Sequence, residues 1–492
     1  MLFRMKIGGL ASGIDTDSII RDMMRANRIP LDKILQKKQY MEWQVDSYRA
    51  VNRQLNTFSN MIFDNLINPT KSVFKKKTVE VSDNNAVSMK PIGSAKEMSG
   101  TLQIHQLAQN ATLQGAAIAE KQDPKKTLAD LGLGDVLGNG ELFIKVPGME
   151  GEPEPIEIRA DDTLQNVLNK LNGAGVNAFF DTQTGKIAMT AKNSGKGEIE
   201  IWGDAATALG LGEDAKGQPG QNAEFTFNGL RTERASNTFE MNGFEITLKE
   251  VTAPDGGEAK TITFTSKADS DAIFDGIKNF VDEYNKLIGD LNGQIREEKF
   301  RSFHPLSAEE KAEMTEKEIE QWEEKAKSGT LRNDSTVSNM LSSMRLALSN
   351  PQGGDVLASI GITTSKDFLA NGKLEIDEEA LRKAIQEDPG KVEKMFINPG
   401  TDQNDQGFAV RLRSIADGTR KVITDKAGTA GFANETFVLG RSIKDMNNQI
   451  DRFQNRLQKT EDRLWRQFSA MEQAINRANA QAAQLMNGLG GM

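Results

Sequence analysis

The chain has no cysteine and only two histidines, His105 and His304. The absence of cysteine excludes disulfides, zinc–thiolate centres and cysteine nucleophiles. It leaves the compartment open, since a cytosolic protein and an exported one that must travel unfolded without wrong cross-links both fit. Two histidines cannot build a metal centre on several imidazoles, and a Ser-His-Asp triad would have to use one of them. His105 falls on the polar phase of Leu102-Gln103-Ile104-His105, and His304 precedes Pro305 at the start of a loop, so both read as surface residues. Phosphate loops are lacking too: Gly-Lys occurs at Gly185-Lys186, Gly195-Lys196, Gly372-Lys373 and Gly390-Lys391, never followed by Ser or Thr. No stretch approaches the ~18 apolar residues of a membrane span. Met1 to Gly9 carries no apolar core of a secretory signal, so leaving the cell would need another export route. Aromatic residues are 6% of the chain, which suits long helices and thin sheets. The net charge of −9 argues against nucleic acid as a partner. The expectation is a protein that is not an enzyme, with no catalytic residue, metal or cofactor.

What the chain does have is heptads at both ends. Ile34, Met41, Tyr48, Leu55 and Ile62 recur every seven residues. Near the other end Ile443, Met446, Ile450, Phe453, Leu457 and Leu464 step by threes and fours. The series then resets by four and continues as Phe468, Met471, Ile475, Ala478, Ala482 and Leu485. Alternating steps of three and four are a coiled-coil seam, and one extra step of four is a stutter that locally unwinds it. Lys38, Asn52 and Ser59 fall on the second seam position, where polar residues cost stability but specify register and partner. Asp15 or Asp17 can cap the entering helix, and Pro30 suits a first helical position.

After Asn68-Pro69 the period shortens to two. Val79/Val81, Leu102/Ile104, Leu142/Ile144/Val146, Ile156/Ile158, Ile187/Met189, Ile199/Ile201, Phe225/Phe227, Phe244/Ile246/Leu248 and Ile262/Phe264 alternate as half-buried strands between Gly, Pro and Asn-Gly turns. Asp162 is the expected cap of a short helix carrying Leu164, Val167, Leu168 and Leu171, and the glycine-rich stretch from Leu209 to Gly220 reads as a boundary. Helical periodicity resumes at Asp271 and carries Ile273, Ile277, Phe280, Tyr284, Leu287, Leu291 and Ile295. A charged helix is expected over Ser307 to Lys327, a helix capped by Asp377 to about Gln386, a polar, glycine-rich stretch over 402–440, and a last helix from Arg441 to Asn487. The acidic run from Glu309 to Glu324 reads as a solvated helix face, with a partner surface as the alternative.

The fold class is therefore α+β and multidomain. Long antiparallel terminal helices form a coiled coil, followed by a helical domain and two mostly β head domains. The expected division is 1–44 with 436–492 for the terminal domain, 45–78 with 269–435 for the helical domain, 79–115 with 221–268 for a β-rich head, and 116–220 for an inserted β-rich outer head. Two readings of the apolar end stripes stay open: the core of an intramolecular hairpin, and bundling between molecules in a ring or tube.

Ile7-Gly8-Gly9-Leu10-Ala11-Ser12-Gly13-Ile14-Asp15-Thr16-Asp17 resembles the N-terminal signature of the flagellar hook-associated protein 2, or filament cap, family. The likeness runs on in order. It takes in Gln106-Leu107-Ala108-Gln109, then Phe225-Thr226-Phe227-Asn228-Gly229 with Asn237, Asn242-Gly243-Phe244 and Thr247-Leu248. Trp322 to Arg332 and Gly372-Lys373-Leu374-Glu375-Ile376-Asp377 complete it. The resemblance implies export through the flagellar type III route and a place at the distal filament tip. It further implies a ring of several subunits that guides incoming flagellin, with other hook-associated proteins and a cytoplasmic export chaperone as further partners. In that role the seam residues Ile34, Met41, Tyr48, Leu55, Ile62, Ile450, Leu457, Leu464, Phe468, Ile475 and Leu485 become the expected oligomerisation and filament contacts. The alternatives are a surface adhesin that binds mucin or glycans through the β heads, a cytosolic coiled-coil scaffold, and a hydrolase hidden in the β domains, which no nucleophile motif supports.

Overall fold

A computed structural model describes residues 15–93, 96–118, 123–349, 354–400 and 405–489. Most of the Ile7 to Asp17 signature lies outside the described residues. The chain divides into two compact units, 1–68 with 274–492 and 69–273.

The first unit is helical. Asp15 caps its opening helix, Thr16–Ile62, by accepting the Ser18 N–H at 3.0 Å. Pro30 does not start a helix as expected; it lies inside this one. Proline removes a single backbone bond, and the next residue, Leu31, is buried in a cluster with Ile450 and Leu457 that holds the helix in line across it. A π turn, Phe63–Ile67, ends the run before Asn68-Pro69. The closing helix, Val438–Leu489, is 52 residues long, so at about 1.5 Å per residue it extends for roughly 80 Å. The two helices pack together through Leu31, Ile450 and Leu457, with Met24, Ile34 and Phe453 at the edge.

Two other expectations change here. The single charged helix over Ser307 to Lys327 is two, Ala308–Ala312 and Glu316–Lys327. Each opens on a capping box, Ser307 with Glu310 and Thr315 with Glu318. Reciprocal capping at Thr315 satisfies the orphan amides locally and makes a restart stable. The stretch 402–440 is not only polar loop; it holds the helix Phe408–Ala427. Its buried apolar residues are Phe408, Ala409, Leu412, Ala416, Ile423 and Ala427. Half of them are alanine, which packs closely against the opening helix yet barely registers as hydrophobic periodicity.

The second unit is antiparallel β with two cores. A five-stranded sheet runs Lys77–Val81, Ile262–Ala268, Met98–Gln106, Ala223–Phe227, Leu230–Arg234. A three-stranded sheet runs Thr238–Met241, Phe244–Leu248, Val87–Pro91. Their inward residues, among them Leu102, Ile104, Phe225, Phe244, Ile246 and Phe264, form the inner core. Asn228-Gly229 and Asn242-Gly243 close two hairpins with positive φ at all four positions, the turn whose twist matches the strands it joins. His105 braces this core: Nδ1 lies 2.8 Å from the Ala253 carbonyl and Nε2 2.8 Å from the Thr226 hydroxyl.

The outer core is built by Asn110–Ala117, Val176–Asp181, Lys186–Ser194 and Lys216–Gln218 in one sheet, and by Glu141–Lys145 flanked by Ile156–Glu157 and Glu200–Trp202 in another. Across them lies the helix Leu164–Gly173, with Leu164, Val167, Leu168 and Leu171 buried. Its cap is Thr163, not the expected Asp162. The Asp162 carboxylate is drawn away by the Arg159 N–H at 2.9 Å and the Lys170 ammonium at 2.6 Å. Ala111 and Leu113 already belong to this core, so it begins earlier than residue 116. The two connections meet at Gln109 and Gln221, whose backbones exchange hydrogen bonds of 2.9 and 3.1 Å. Gly220 is required there, because a Cβ would lie 2.2 Å from the Gly195 carbonyl oxygen.

Since the insert leaves and returns through one paired bridge, replacing 110–220 by a two-glycine turn should leave the inner core folded. The excised protein is expected to keep a cooperative β unfolding transition; its loss would show that the two cores fold only together.

Candidate functional site

The seam predicted from the heptads divides into a sealed part and an outward part. Tyr48, Leu55 and Ile62 are each 0% exposed within the first unit, and Ile34 and Met41 are half-buried. The three sealed residues are covered by their own chain, so within this fold they present little surface to another molecule. The physical reason is the helix Phe408–Ala427, which lies along the opening helix and takes the place assigned to an external partner. The polar seam residues point the same way. Asn52 donates to the Thr424 hydroxyl at 3.1 Å, and Ser59 donates to Asp417 at 2.8 Å while accepting from Arg413 at 3.2 Å. They select a partner, but that partner is in the same chain.

On the closing helix Ile450, Leu457 and Leu464 are buried. Beyond them the chain's own cover thins. Phe468 and Ile475 are half-buried, while Met471, Leu485 and Met486 are 38%, 67% and 76% exposed. Roughly the last two dozen described residues thus carry an apolar stripe that the rest of the described chain leaves largely uncovered.

A polar hub fixes the opening helix at the boundary of its sealed part. The Tyr48 hydroxyl donates a hydrogen bond to the Asp334 carboxylate. Lys426 reaches the same carboxylate at 3.2 Å and lies 4.4 Å over the Tyr48 ring. Asp334 also accepts the Val337 N–H at 3.0 Å, capping the helix Ser335–Ser349. Next to it, Ser47 and Thr330 share a hydrogen bond of 2.8 Å, and Arg49 donates to the Ala427 carbonyl at 3.2 Å. Burial pushes the Asp334 carboxyl up; the bonds from Tyr48 and Val337 and the charge of Lys426 outweigh it and hold it below its ordinary value. Burial, then the bond to Asp334, raises the Tyr48 hydroxyl well above its ordinary value.

The acidic run is not simply solvated. Glu309 pairs with Arg25 at 3.5 Å and Arg28 at 3.3 Å, and Glu313 with Arg25 at 3.7 Å. A groove of about 520 Å3 runs between these elements. In it Asp32 is raised by partial burial and by Glu309, with Arg28 opposing. Further along, Lys299 lies 4.4 Å over the Tyr40 ring and Lys327 5.1 Å over Trp43. His304 pairs with Glu310 at 3.0 Å, and its carbonyl accepts the Trp322 indole N–H at 2.8 Å. Both histidines are thus engaged in bracing contacts. The arrangement is one for holding helices and presenting an apolar stripe.

The model of the flagellar hook-associated protein 2 N-terminus matches residues 12–111, and that of its C-terminus matches residues 220–480. The chain belongs to the flagellar hook-associated protein 2 family. The two matches stop and restart within a residue or two of the bridge between Gln109 and Gln221, so the outer core lies between them. A flagellar hook-associated protein 2 of Halalkalibacterium halodurans is 31% identical, the match covering 98% of this chain and 99% of that one. One of Thermotoga maritima is 24% identical over 99% of this chain and 96% of its own length. Among solved structures, the D1-D2-D3 domains of the flagellar cap protein FliD from Escherichia coli share the fold. They superpose with a TM-score of 0.53 at 21% identity, covering 82% of this chain and 99% of that one. No helix among the described residues is long and apolar enough to cross a membrane.

A carboxyl held below its ordinary value stabilises the fold at neutral pH, and the contribution fades as pH falls through the folded value. Asp334→Asn should therefore lower stability at pH 7 by about 2 kcal/mol and flatten the acid limb of the unfolding curve below pH ~4. An unchanged acid limb in urea melts from pH 2 to 7 would remove Asp334 from its role. Leu457→Asp places a charge in the cluster with Leu31 and should cost about 3 kcal/mol. Proteolysis is expected to start in both paired helices before the β unit is cut.

Proposed function

We propose that the chain caps the distal end of a bacterial flagellar filament, forms a ring with copies of itself, and admits flagellin in order beneath the ring. The observation that carries this reading is the contrast along the closing helix, sealed by its own chain to Leu464 and increasingly bare to Leu485 and Met486. A buried segment anchors, and the bare stripe that follows is available to another helix. Membership of a family whose solved relatives are described as flagellar cap proteins supports the setting. Oligomeric contacts, in this reading, fall to Ile34, Met41, Phe468, Ile475 and Leu485. The chain acts through binding and catalyses no reaction. Travel to the tip by the flagellar type III route, with an export chaperone and other hook-associated proteins as neighbours, belongs to the same reading. So does a division into terminal coiled coil, helical domain and two β heads.

Removal of 470–492 tests it. The truncated protein should melt within about 2 °C of the full chain, because the removed stripe makes few internal contacts. Cells that carry it should grow no filaments and release flagellin into the medium. Filaments of normal length, with the truncated protein at their tips, would refute the reading.

A further inference from the structure

Arginine is almost never fully buried without a counter-charge. Arg411 is 7% exposed, and its Nε is buried with no hydrogen-bond partner. Burial lowers its ionisation from the ordinary value. The guanidinium lies over Phe408, its Cζ 4.7 Å from the ring centroid, so it is folded back toward the start of the helix Phe408–Ala427.

That start is positive on its own account. The first turn of a helix presents unsatisfied N–H groups and the positive end of the macrodipole. Here the first turn carries no acidic side chain, and the cap residue is Gly407, which makes no capping bond. The glycine cannot be exchanged for a capping residue. A Cβ there would lie 2.4 Å from the carbonyl carbon and oxygen of Phe396. Close approach of the preceding helix, Pro389–Ile397, therefore forbids the usual Asp, Ser or Asn. A long helix is left with a first turn that has no side-chain cap and no acidic residue, and with a buried arginine folded back toward it.

We infer that Arg411 and the first turn of Phe408–Ala427 form a binding site for a small oxyanion, inorganic phosphate or a carboxylate. The guanidinium offers a planar fork of donors and the leading amides offer more, the combination by which proteins hold such anions. The bound anion offsets the cost of the buried charge and fastens the first turn. The site does not depend on the filament role.

The test uses the purified full chain, titrated with sodium phosphate and separately with sodium acetate, each against sodium chloride at matched ionic strength. Calorimetry and thermal melting are the readouts. One saturable site is expected, with a rise in melting temperature on the order of 3 °C at saturation. Response to phosphate identifies a free anion as the ligand; response to acetate alone identifies a carboxylate. Arg411→Met keeps much of the stem, removes the buried charge, and should melt in chloride at or above the parent while losing the response. Arg411→Gln replaces it if the methionine variant does not fold. Absence of any anion-specific response in the parent chain, or its persistence without Arg411, would overturn the assignment.

Discussion

The buried carboxylate of Asp334 is the point on which the helical unit depends. It receives the Tyr48 hydroxyl from the opening helix, the Lys426 ammonium from the helix Phe408–Ala427, and the leading amide of the helix Ser335–Ser349. A charge at that depth is tolerable only when its lone pairs are filled and a cation is close. Each of the three elements supplies part of that, so none can leave without stranding the others. Apolar packing brings these helices together; this hub decides at which residue they meet.

The same logic accounts for the two characters of the terminal helices. From Tyr48 to Ile62 the opening helix is sealed by close packing against Phe408–Ala427, and the polar seam positions Asn52 and Ser59 are bonded there. Before Tyr48 it is held by the helices Ala308–Ala312 and Glu316–Lys327 through ion pairs and cation–π contacts, such as Arg25 with Glu309 and Lys327 over Trp43. Exposed ion pairs contribute little each, up to about 1 kcal/mol. The opening helix thus joins a tightly sealed segment to a weakly fastened one.

In the β unit the controlling constraint is where the chain crosses between its two cores. One pair of connections, joined at Gln109 and Gln221, carries the whole outer core. The family matches cover the inner strands and leave 112–219 between them, so they divide where the chain crosses between the cores.

The sequence by itself determined the period of each segment. Heptads at both ends, period-two runs between them and Asn-Gly turns specified helices, strands and hairpins, because periodicity and turn chemistry are local properties of side-chain direction and backbone sterics. Local competition was harder to read. Asp162 lost its capping role to Thr163 because Lys170 and Arg159 claimed its carboxylate, and Thr315 broke a charged helix that composition alone ran together. The helix Phe408–Ala427 escaped notice because alanine buries area without much hydropathy. Only the tertiary structure decided what the seam touches. A heptad records that one face is apolar, not whether the partner is another molecule or the same chain, and the bond from Tyr48 to Asp334 spans a separation of 286 residues that no local pattern encodes.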